Sequence, residues 1–449
     1  MNAQHYEAAL IDACMNKGAT AEVISKVSAS DFSARFRPIF EVICDQFNRG
    51  LTPDIISVME ECEKLGEDGE LKQTFVDVVD GVLALPGSIK DIDTHCKELK
   101  RLAVARKLKE LAIKINFWAT EEEPDVAYEM ASNEFLGLKG EDSEDTTKGM
   151  NEMLKESLED LERRFNSDEA FDGLATGYED IDARWNGMKA ENLILIAGRP
   201  AHGKTTLALN IAENVVKNDK TVLFFNLEMS HKELADKMIS SAGSLSFTRM
   251  SNANMREEDW PKLTSGYTAL KDKRLFVDSR SSLSVGEMRG KAYQIKAKHD
   301  LHLMVVDYIQ LMTSKGDSRE REIGNISRGL KNLAKEMRCP IIAISQLNRQ
   351  CESRPNKRPL PSDLRDSGSL EQDANIITFV YRDEVYDEDS PLKGVAEIIT
   401  RKIRGGKPGT DALEWAGDYQ KFKPMDYRPD IESVVEEQES GKKKKAREF

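Results

Sequence analysis

A phosphate-binding loop constrains the fold of this chain more than any other feature. Residues 198–205 read GRPAHGKT and match the pattern G-x-x-x-x-G-K-[ST], between the apolar run LILIA and a stretch with helical spacing. In that strand–loop–helix context the glycines let backbone N–H groups turn towards phosphate oxygens, Lys204 reaches the β- and γ-phosphates, and the Thr205 hydroxyl ligates Mg²⁺. The sequence therefore predicts a P-loop nucleoside triphosphatase, with the nucleotide-binding residues Gly198, Gly203, Lys204, Thr205 and Thr206.

Short apolar runs after about Asp172 predict the sheet that carries this loop. They alternate with helical stretches and occupy 193–197, 222–225, 274–278, 303–306, 341–344, 376–381 and 396–400. Near-continuous apolar strands separated by crossovers of a dozen or more residues are typical of parallel strands that are buried on both faces. We therefore expect an α/β domain over 171–430, with a parallel-dominated sheet covered by helices.

The first 120 residues have a helical pattern instead. Apolar residues recur at spacings of three and four between Tyr6 and Asp12, between Phe36 and Phe47, and between Lys97 and Phe117. Such spacing is the mark of amphipathic helices with one buried stripe. The sequence predicts a small all-helical N-terminal domain over 1–120.

Two charged segments complete the chain. Residues 121–170 begin with an acidic stretch and regain helical spacing from Met150 to Phe165, which predicts a linker followed by a linker helix. One narrow apolar stripe cannot stabilise a lone helix in water, so this helix needs a partner surface. The tail, 431–449, is polar and contains a lysine block at 442–445.

Composition excludes several classes of protein. The 449 residues suffice for two or three domains, and six cysteines without a C-x-x-C pair favour a reducing, cytoplasmic compartment over a disulfide framework or a zinc ribbon. The N-terminus lacks the pattern of a signal peptide, and the apolar runs are too short to span a membrane. The net charge of −14, from 65 Lys and Arg against 79 Asp and Glu, argues against a surface that binds nucleic acid throughout.

A P-loop enzyme needs a carboxylate near its metal and a group that activates water. Asp307 ends the apolar run LMVV, so it is the candidate that supports Mg²⁺ through water. The next residue is Tyr308 rather than a second acid, and the general base must come from elsewhere. Glu228, which closes the run VLFFNLE, is the best placed candidate. Alternatively, Glu228 is a solvated residue at the rim of the sheet.

Three further polar residues follow apolar runs. Gln346 ends PIIAISQ, where a glutamine senses the γ-phosphate or orients the attacking water, or else merely ends a strand. Lys402 and Arg404 lie two residues apart and therefore on the same side of an extended chain. Two cations there can supply an arginine finger to a neighbouring subunit, or form a solvated edge.

Three longer motifs resemble those of a known family. They are SQLNRQCESRPNKRPLPSDLRDSGSLEQDANIITFVYRDEVY at 345–386, DYIQLM at 307–312 and NLEMS at 226–230. All three resemble motifs of the DnaB family of replicative hexameric DNA helicases, bacterial or phage-encoded. The resemblance covers almost the whole chain and is strongest from about Asp172 to Phe422.

The resemblance implies a RecA-like ATPase ring, a homohexamer in which each ATP lies between two subunits. By match of motif, Glu228 is the catalytic base, Gln346 reads the γ-phosphate, and Lys402 and Arg404 act on the neighbour's nucleotide. Arg382 is a further candidate for the nucleotide site. Residues 1–120 resemble the family's collar domain, and the linker helix resembles one that docks on the adjacent subunit.

The segment DLRDSG at 363–368 resembles a loop that lines the DNA channel in this family. The resemblance implies that Arg365 and backbone N–H groups near Asp366 and Gly368 hold phosphates of one strand. The family more often has Glu at position 366, and its phosphate loop usually has Ser-Met where this chain has Ala-His. Since the latter are variable positions, His202 is interpreted as incidental.

The resulting hypothesis is an ATP-dependent replicative DNA helicase that moves along single-stranded DNA and unwinds the duplex at the replication fork. Primase and a helicase loader are the expected partners in the primosome, in the cytoplasm of a bacterial cell or an infected host cell. The alternatives are a RecA-like recombination ATPase and a non-translocating adaptor with a vestigial ATPase. The helical domain with its linker disfavours the first, and the complete set of catalytic residues disfavours the second. The acidic net charge then confines DNA contact to the channel.

Overall fold

The computed structural model describes residues 3–65 except 17, 92–127 except 125, 149–166, and 171–427 except 315 and 365–367, with isolated residues at 73, 75–76, 130–131, 134–135, 429–431 and 433–434. The chain divides into two compact units, Met1–Thr147 and Lys148–Phe449. Most of the acidic linker and almost all of the charged tail lie outside the described residues.

The first unit is helical where it is described. Its helices are α1 (Ala3–Asn16), α2 (Thr20–Lys26), α3 (Arg37–Asn48), α4 (Ile55–Leu65) and α5 (Ile92–Glu121). Their buried faces form one core that contains Leu10, Ile11, Phe40, Ile43 and Leu99. The fully buried carboxylate of Glu7 in α1 accepts a hydrogen bond from Arg106 of α5 at 2.8 Å, which ties these two helices together.

The second unit contains a nine-stranded sheet and its covering helices. The strands are β1 (Leu193–Gly198), β2 (Val222–Asn226), β3 (Leu275–Asp278), β4 (Leu303–Asp307), β5 (Ile341–Gln346), β6 (Ile376–Tyr381), β7 (Val395–Ile403), β8 (Gly409–Ala416) and β9 (Lys421–Pro424). The helices are α6 (Met150–Asn166), α7 (Glu179–Trp185), α8 (Lys204–Lys217), α9 (His231–Gly243), α10 (Phe247–Ser251), α11 (Asp259–Leu270), α12 (Val285–Lys298), α13 (Arg319–Met337) and α14 (Gly368–Asp373).

The sheet has the order β3-β2-β4-β5-β1-β6-β7-β8-β9, and its first six strands are parallel. Alternate residues of β1 point to opposite faces, so Leu195 lies in the core beneath α13 and Ile196 lies in the core beneath α8. The predicted α/β fold, with a parallel-dominated sheet covered on both faces, is confirmed.

The prediction of a parallel strand at 396–400 is wrong, because β7 runs antiparallel to β6. Its connection to β6, residues 382–394, contains only the one-turn helix Asp383–Val385 and lacks the longer α-helix that usually forms a parallel crossover. The antiparallel β8 and β9 were not predicted. Strand β8 is only partly buried, so it has no continuous apolar run.

Candidate nucleotide-binding site

The phosphate-binding loop joins the carboxyl end of β1 to α8, which begins at Lys204. Its backbone turns through two left-handed residues, Ala201 at φ +66° and Gly203 at φ +95°. A Cβ on Gly203 would lie 2.8 Å from Cζ of Phe422, so only glycine fits at this position. The Lys204 ammonium lies within the turn and donates a hydrogen bond to the Arg199 carbonyl at 2.9 Å.

Asp307 ends β4 beneath this loop. It is 1% exposed, and neither of its carboxylate oxygens accepts a hydrogen bond of ordinary geometry from any described residue. Burial raises the pKa of Asp307 to about 6, whereas the adjacent Thr205 hydroxyl and Lys204 oppose that rise. A buried carboxylate that lacks a protein donor and lies beside a threonine hydroxyl is an oxygen donor set that fits Mg²⁺.

Glu228 lies two residues beyond the end of β2, the strand that pairs with β4. In the parallel register Asn226 lies opposite Asp307, and the Leu227 N–H donates to the Asp307 carbonyl at 2.8 Å. The Glu228 side chain is exposed. Burial lowers the pKa of Lys204 to about 8, while Asp307 and Glu228 both act to raise it. The structure thus brings Lys204, Asp307 and Glu228 together at one edge of the sheet.

Gln346 ends β5 opposite Gly198, the first residue of the loop. Its backbone is held by Gln310, whose Nε2 donates to the Gln346 carbonyl at 3.3 Å and to the Ser345 hydroxyl at 2.9 Å. Gln346 and Gln310 line a cavity of about 490 Å³ together with Arg199. Sequence reasoning did not assign Gln310, although it lies within the quoted motif DYIQLM.

Arg382 contacts the phosphate-binding loop from the end of β6. Its Nη1 donates to the Ala201 carbonyl at 3.0 Å, and its guanidinium pairs with Glu384 at 2.6 Å. The same guanidinium lies 4.4 Å from the centre of the Trp415 ring. The structure therefore places Arg382 beside the loop.

The interpretation of His202 as incidental is wrong. Its ring is 1% exposed, and its Nδ1 accepts a hydrogen bond from the backbone N–H of Arg382 at 2.9 Å. The pKa of His202 is lowered to about 3, chiefly by burial and in addition by the nearby cations Lys204, Arg382 and Arg199. The residue is a neutral hydrogen-bond acceptor inside the loop. No local sequence signal identified this interaction.

Lys402 and Arg404 lie at the other edge of the sheet. Lys402 is paired with Ile377, near the start of β6, whereas Ala197 beside the phosphate-binding loop is paired with Phe379. Lys402 and Arg404 both donate to the Gln372 carbonyl, at 3.2 and 3.4 Å. Burial is the main cause that lowers the pKa of Lys402, and the charge of Arg404 lowers it further. The two charges therefore lie on the same side of the strand, as expected. The structure does not bring them to the chain's own phosphate-binding loop.

Arg365 and Asp366 of the expected DNA-binding loop lie outside the described residues. Gly368 is described and begins α14. At the base of this loop the Asn348 N–H donates to the Asp363 carbonyl at 2.9 Å, and Arg354 forms a two-point ion pair with Asp363.

Within the described part of the chain, no helix has the length and apolar character needed to cross a membrane. The same residues contain no group of three or more His, Cys, Asp or Glu side chains arranged to hold a metal ion.

Comparison with known proteins identifies relatives over most of the chain. A family model described as DnaB-like helicase C terminal domain matches residues 173–424, and one described as DnaB-like helicase N terminal domain matches residues 1–101. The replicative DNA helicase DnaB of Buchnera aphidicola subsp. Baizongia pistaciae (strain Bp) is 36% identical over 412 residues, 89% of either chain. That of Geobacillus stearothermophilus is 33% identical over 408 residues, again 89% of either chain. One similar solved structure is described as a DnaB-like replicative helicase and its interactions with primase. It matches this chain with a TM-score of 0.72 and 30% sequence identity, and the match covers 95% of this chain and 100% of that chain.

Proposed function

The chain belongs to the DnaB family of replicative DNA helicases, and we propose that it works as a homohexameric ring in which ATP hydrolysis between adjacent copies drives translocation on single-stranded DNA. As a member of this family it is an ATP-dependent DNA helicase with a RecA-like ATPase domain. The match to both helicase domains weighs against the alternative of a recombination ATPase.

Five residues carry the chemistry in this proposal. Lys204 binds the β- and γ-phosphates, and Gln346 reads the γ-phosphate from the neighbouring strand end. Mg²⁺ held by Thr205 and Asp307 supplies positive charge to the phosphate oxygens. Glu228 is exposed to water at the same strand edge and takes the proton of the attacking water. This division of roles agrees with the burial of Asp307 and the exposure of Glu228.

The position of Lys402 and Arg404 is the observation that favours catalysis between subunits. Strand β7 runs antiparallel to β6, so it carries these cations away from the strand edge where ATP binds. Lys402 lies five residues along β7 from Glu397, which is paired with Tyr381 at the loop side. Five residues of strand span about 16 Å. The two cations therefore serve the nucleotide of an adjacent copy in the ring.

Helix α6 supplies a second reason to propose a ring. Its apolar side chains are exposed, including Met153 at 52%, Leu158 at 60% and Leu161 at 55%. Helix α11 likewise exposes Trp260 at 58% and Tyr267 at 53%. We propose that α6 docks on α11 of the adjacent copy, which buries both surfaces.

The same proposal specifies the contacts with DNA and the protein partners. Arg365 and the backbone N–H groups near Asp366 and Gly368 hold the phosphates of single-stranded DNA in the channel. One structural relative is titled with its interactions with primase, and we propose primase and a helicase loader as partners of this chain. We infer that it acts in the cytoplasm of a bacterial cell or an infected host cell.

Two measurements test the proposed function. We expect the mass in solution with ATP and Mg²⁺ to be that of a hexamer, and we expect a forked duplex to be unwound only when ATP is hydrolysed. A strand-exchange filament on single-stranded DNA, without unwinding of the fork, would support the recombination ATPase instead. Binding of primase without any unwinding would support the non-translocating adaptor.

A further inference from the structure

The loop that holds the nucleotide phosphates carries a buried imidazole. His202 stands between Ala201 and Gly203, which both adopt left-handed backbone conformations. For an alanine this conformation costs roughly 1 kcal/mol and persists only where surrounding structure imposes it. The interactions that impose it here come from the end of β6.

The imidazole is held on three sides. Its Nδ1 accepts the Arg382 backbone N–H at 2.9 Å, and its ring lies 5.6 Å from the Tyr381 ring and 5.3 Å from the Tyr386 ring. With 1% of its surface exposed, the ring cannot turn towards the phosphates without leaving this packing. The His202 side chain is therefore held by protein contacts, while its backbone is part of the phosphate-binding turn.

A second hydrogen bond joins the same two segments in the opposite direction. The Arg382 guanidinium donates to the Ala201 carbonyl at 3.0 Å while it lies on the Trp415 ring at 4.4 Å. Residues 201 and 202 of the loop are thus attached to Arg382, the residue that follows β6, through its side chain and its backbone. If His202 were apolar, the Arg382 N–H would lose its hydrogen-bond partner, and the loop would lose one of its two hydrogen bonds to Arg382.

We propose that His202 is a positioning residue for ATP binding and hydrolysis, which holds the phosphate-binding loop against β6 through the hydrogen bond from the Arg382 N–H to its Nδ1. The proposal rests on the proposed function of this loop as the ATP site. It assigns to the imidazole an acceptor role that asparagine can reproduce, because the Oδ1 of asparagine occupies the place of Nδ1. Leucine cannot reproduce it, although leucine has a similar volume.

The test measures kcat and KM for ATP on the full chain with saturating single-stranded DNA. For His202→Leu we expect kcat/KM to fall by about tenfold, mainly through KM, the scale of removing one hydrogen bond to a buried group. For His202→Asn we expect kcat/KM within about threefold of wild type. If the leucine variant fails to assemble, His202→Gln replaces it, because its oxygen reaches the place of Nε2 rather than Nδ1.

His302 provides a matched control. Its Nδ1 accepts the backbone N–H of Thr221 at 3.2 Å, the same type of hydrogen bond, at the opposite edge of the sheet. His302→Leu should lower the melting temperature and leave KM for ATP unchanged. Equal decreases in kcat/KM in His202→Leu and His202→Asn, an unchanged His202→Leu enzyme, or an equal rise in KM in His302→Leu would overturn the proposal. If wild type and Lys204→Ala hydrolyse ATP equally, the assignment of this loop as the ATP site is wrong. That outcome is distinct from a failure of the His202 proposal.

Discussion

Leu347 pairs with Leu364 in an antiparallel bridge, one residue beyond Gln346 and one residue before Arg365. The hydrogen bond across this bridge runs from the Asn348 N–H to the Asp363 carbonyl at 2.9 Å, so the segment after Gln346 is tied to the segment before Arg365. Because Gln310 also holds the backbone of Gln346, we propose that a shift of Gln346 at the nucleotide moves the base of the proposed DNA loop.

This bridge leads to the first prediction. Gln346→Ala should bind ATP within about threefold of wild type and lose most of the stimulation of ATP turnover by single-stranded DNA, because the connection between the sites begins at this side chain. Turnover with and without DNA is the measurement. Gln350→Ala, at an exposed position in the same segment, should keep the stimulation. Stimulation that persists in the Gln346 variant would contradict the role of the bridge.

The charged residues at the phosphate loop give the second prediction. Lys204→Ala should abolish ATP hydrolysis, whereas Glu228→Gln should keep ATP binding and lower kcat by about a hundredfold or more, the scale of a general base. Steady-state hydrolysis and binding of a fluorescent ATP analogue separate the two effects. Glu233→Gln alters another exposed glutamate nearby and should behave as wild type. A normal kcat in the Glu228→Gln enzyme would show that another group is the general base.

The residues of the site that follow the parallel strands could be predicted from the sequence, and the reason is physical. Parallel strands end at one edge of a sheet, so Asp307 and Glu228, which follow two apolar runs, are expected to meet there with the phosphate-binding loop and its Lys204, which follow a third. The apolar runs themselves are easily identified because strands buried on both faces contain few polar residues.

The interactions of His202, the direction of β7 and the strands β8 and β9 could not be predicted in this way. His202 and Arg382 are 180 residues apart, and their hydrogen bond depends on the register of β1 with β6. The first six residues of β7 are buried like those of its parallel neighbours, so burial does not reveal its direction, which follows from a connection that lacks a covering α-helix. Partly buried strands such as β8 have no continuous apolar pattern from which to predict them.

The edge position of Arg404 gives the third prediction. Arg404→Ala should bind ATP and fail to hydrolyse it, and mixing it with Glu228→Ala should restore some turnover at interfaces that combine an intact Glu228 with an intact Arg404. ATP hydrolysis across a series of mixing ratios is the measurement. Arg401→Ala changes a nearby exposed arginine, on the other side of the strand from Lys402, and should remain active. No recovery at any ratio would count against catalysis between subunits.

The DNA loop gives the fourth prediction. Arg365→Ala should weaken binding of single-stranded DNA equally for all sequences, because phosphate interactions carry no base information. The slope of log affinity against log salt should decrease in magnitude by about 0.7 for each phosphate that the variant no longer neutralises. Binding titrations at several salt concentrations measure both. Lys271→Ala, at the exposed end of α11, is the control for a simple removal of charge. A sequence-dependent decrease in affinity would contradict the assignment.

The low pKa of His202 gives the fifth prediction. In the folded chain this pKa is about 3, chiefly because the ring is buried, whereas an unfolded histidine titrates near 6.5. Below about pH 6.5 the unfolded state therefore binds a proton that the folded state does not, and the free energy of unfolding falls by about 1.4 kcal/mol per pH unit from this group. The contribution is fully present above pH 6.5 and is lost as the pH falls towards 3.

His202→Asn keeps the hydrogen bond and removes the titration. Urea unfolding at about pH 7.5 and about pH 5.5 should therefore show a smaller decrease in the free energy of unfolding in this variant than in wild type. Parallel decreases in the two proteins would mean that His202 already carries its proton in the folded state.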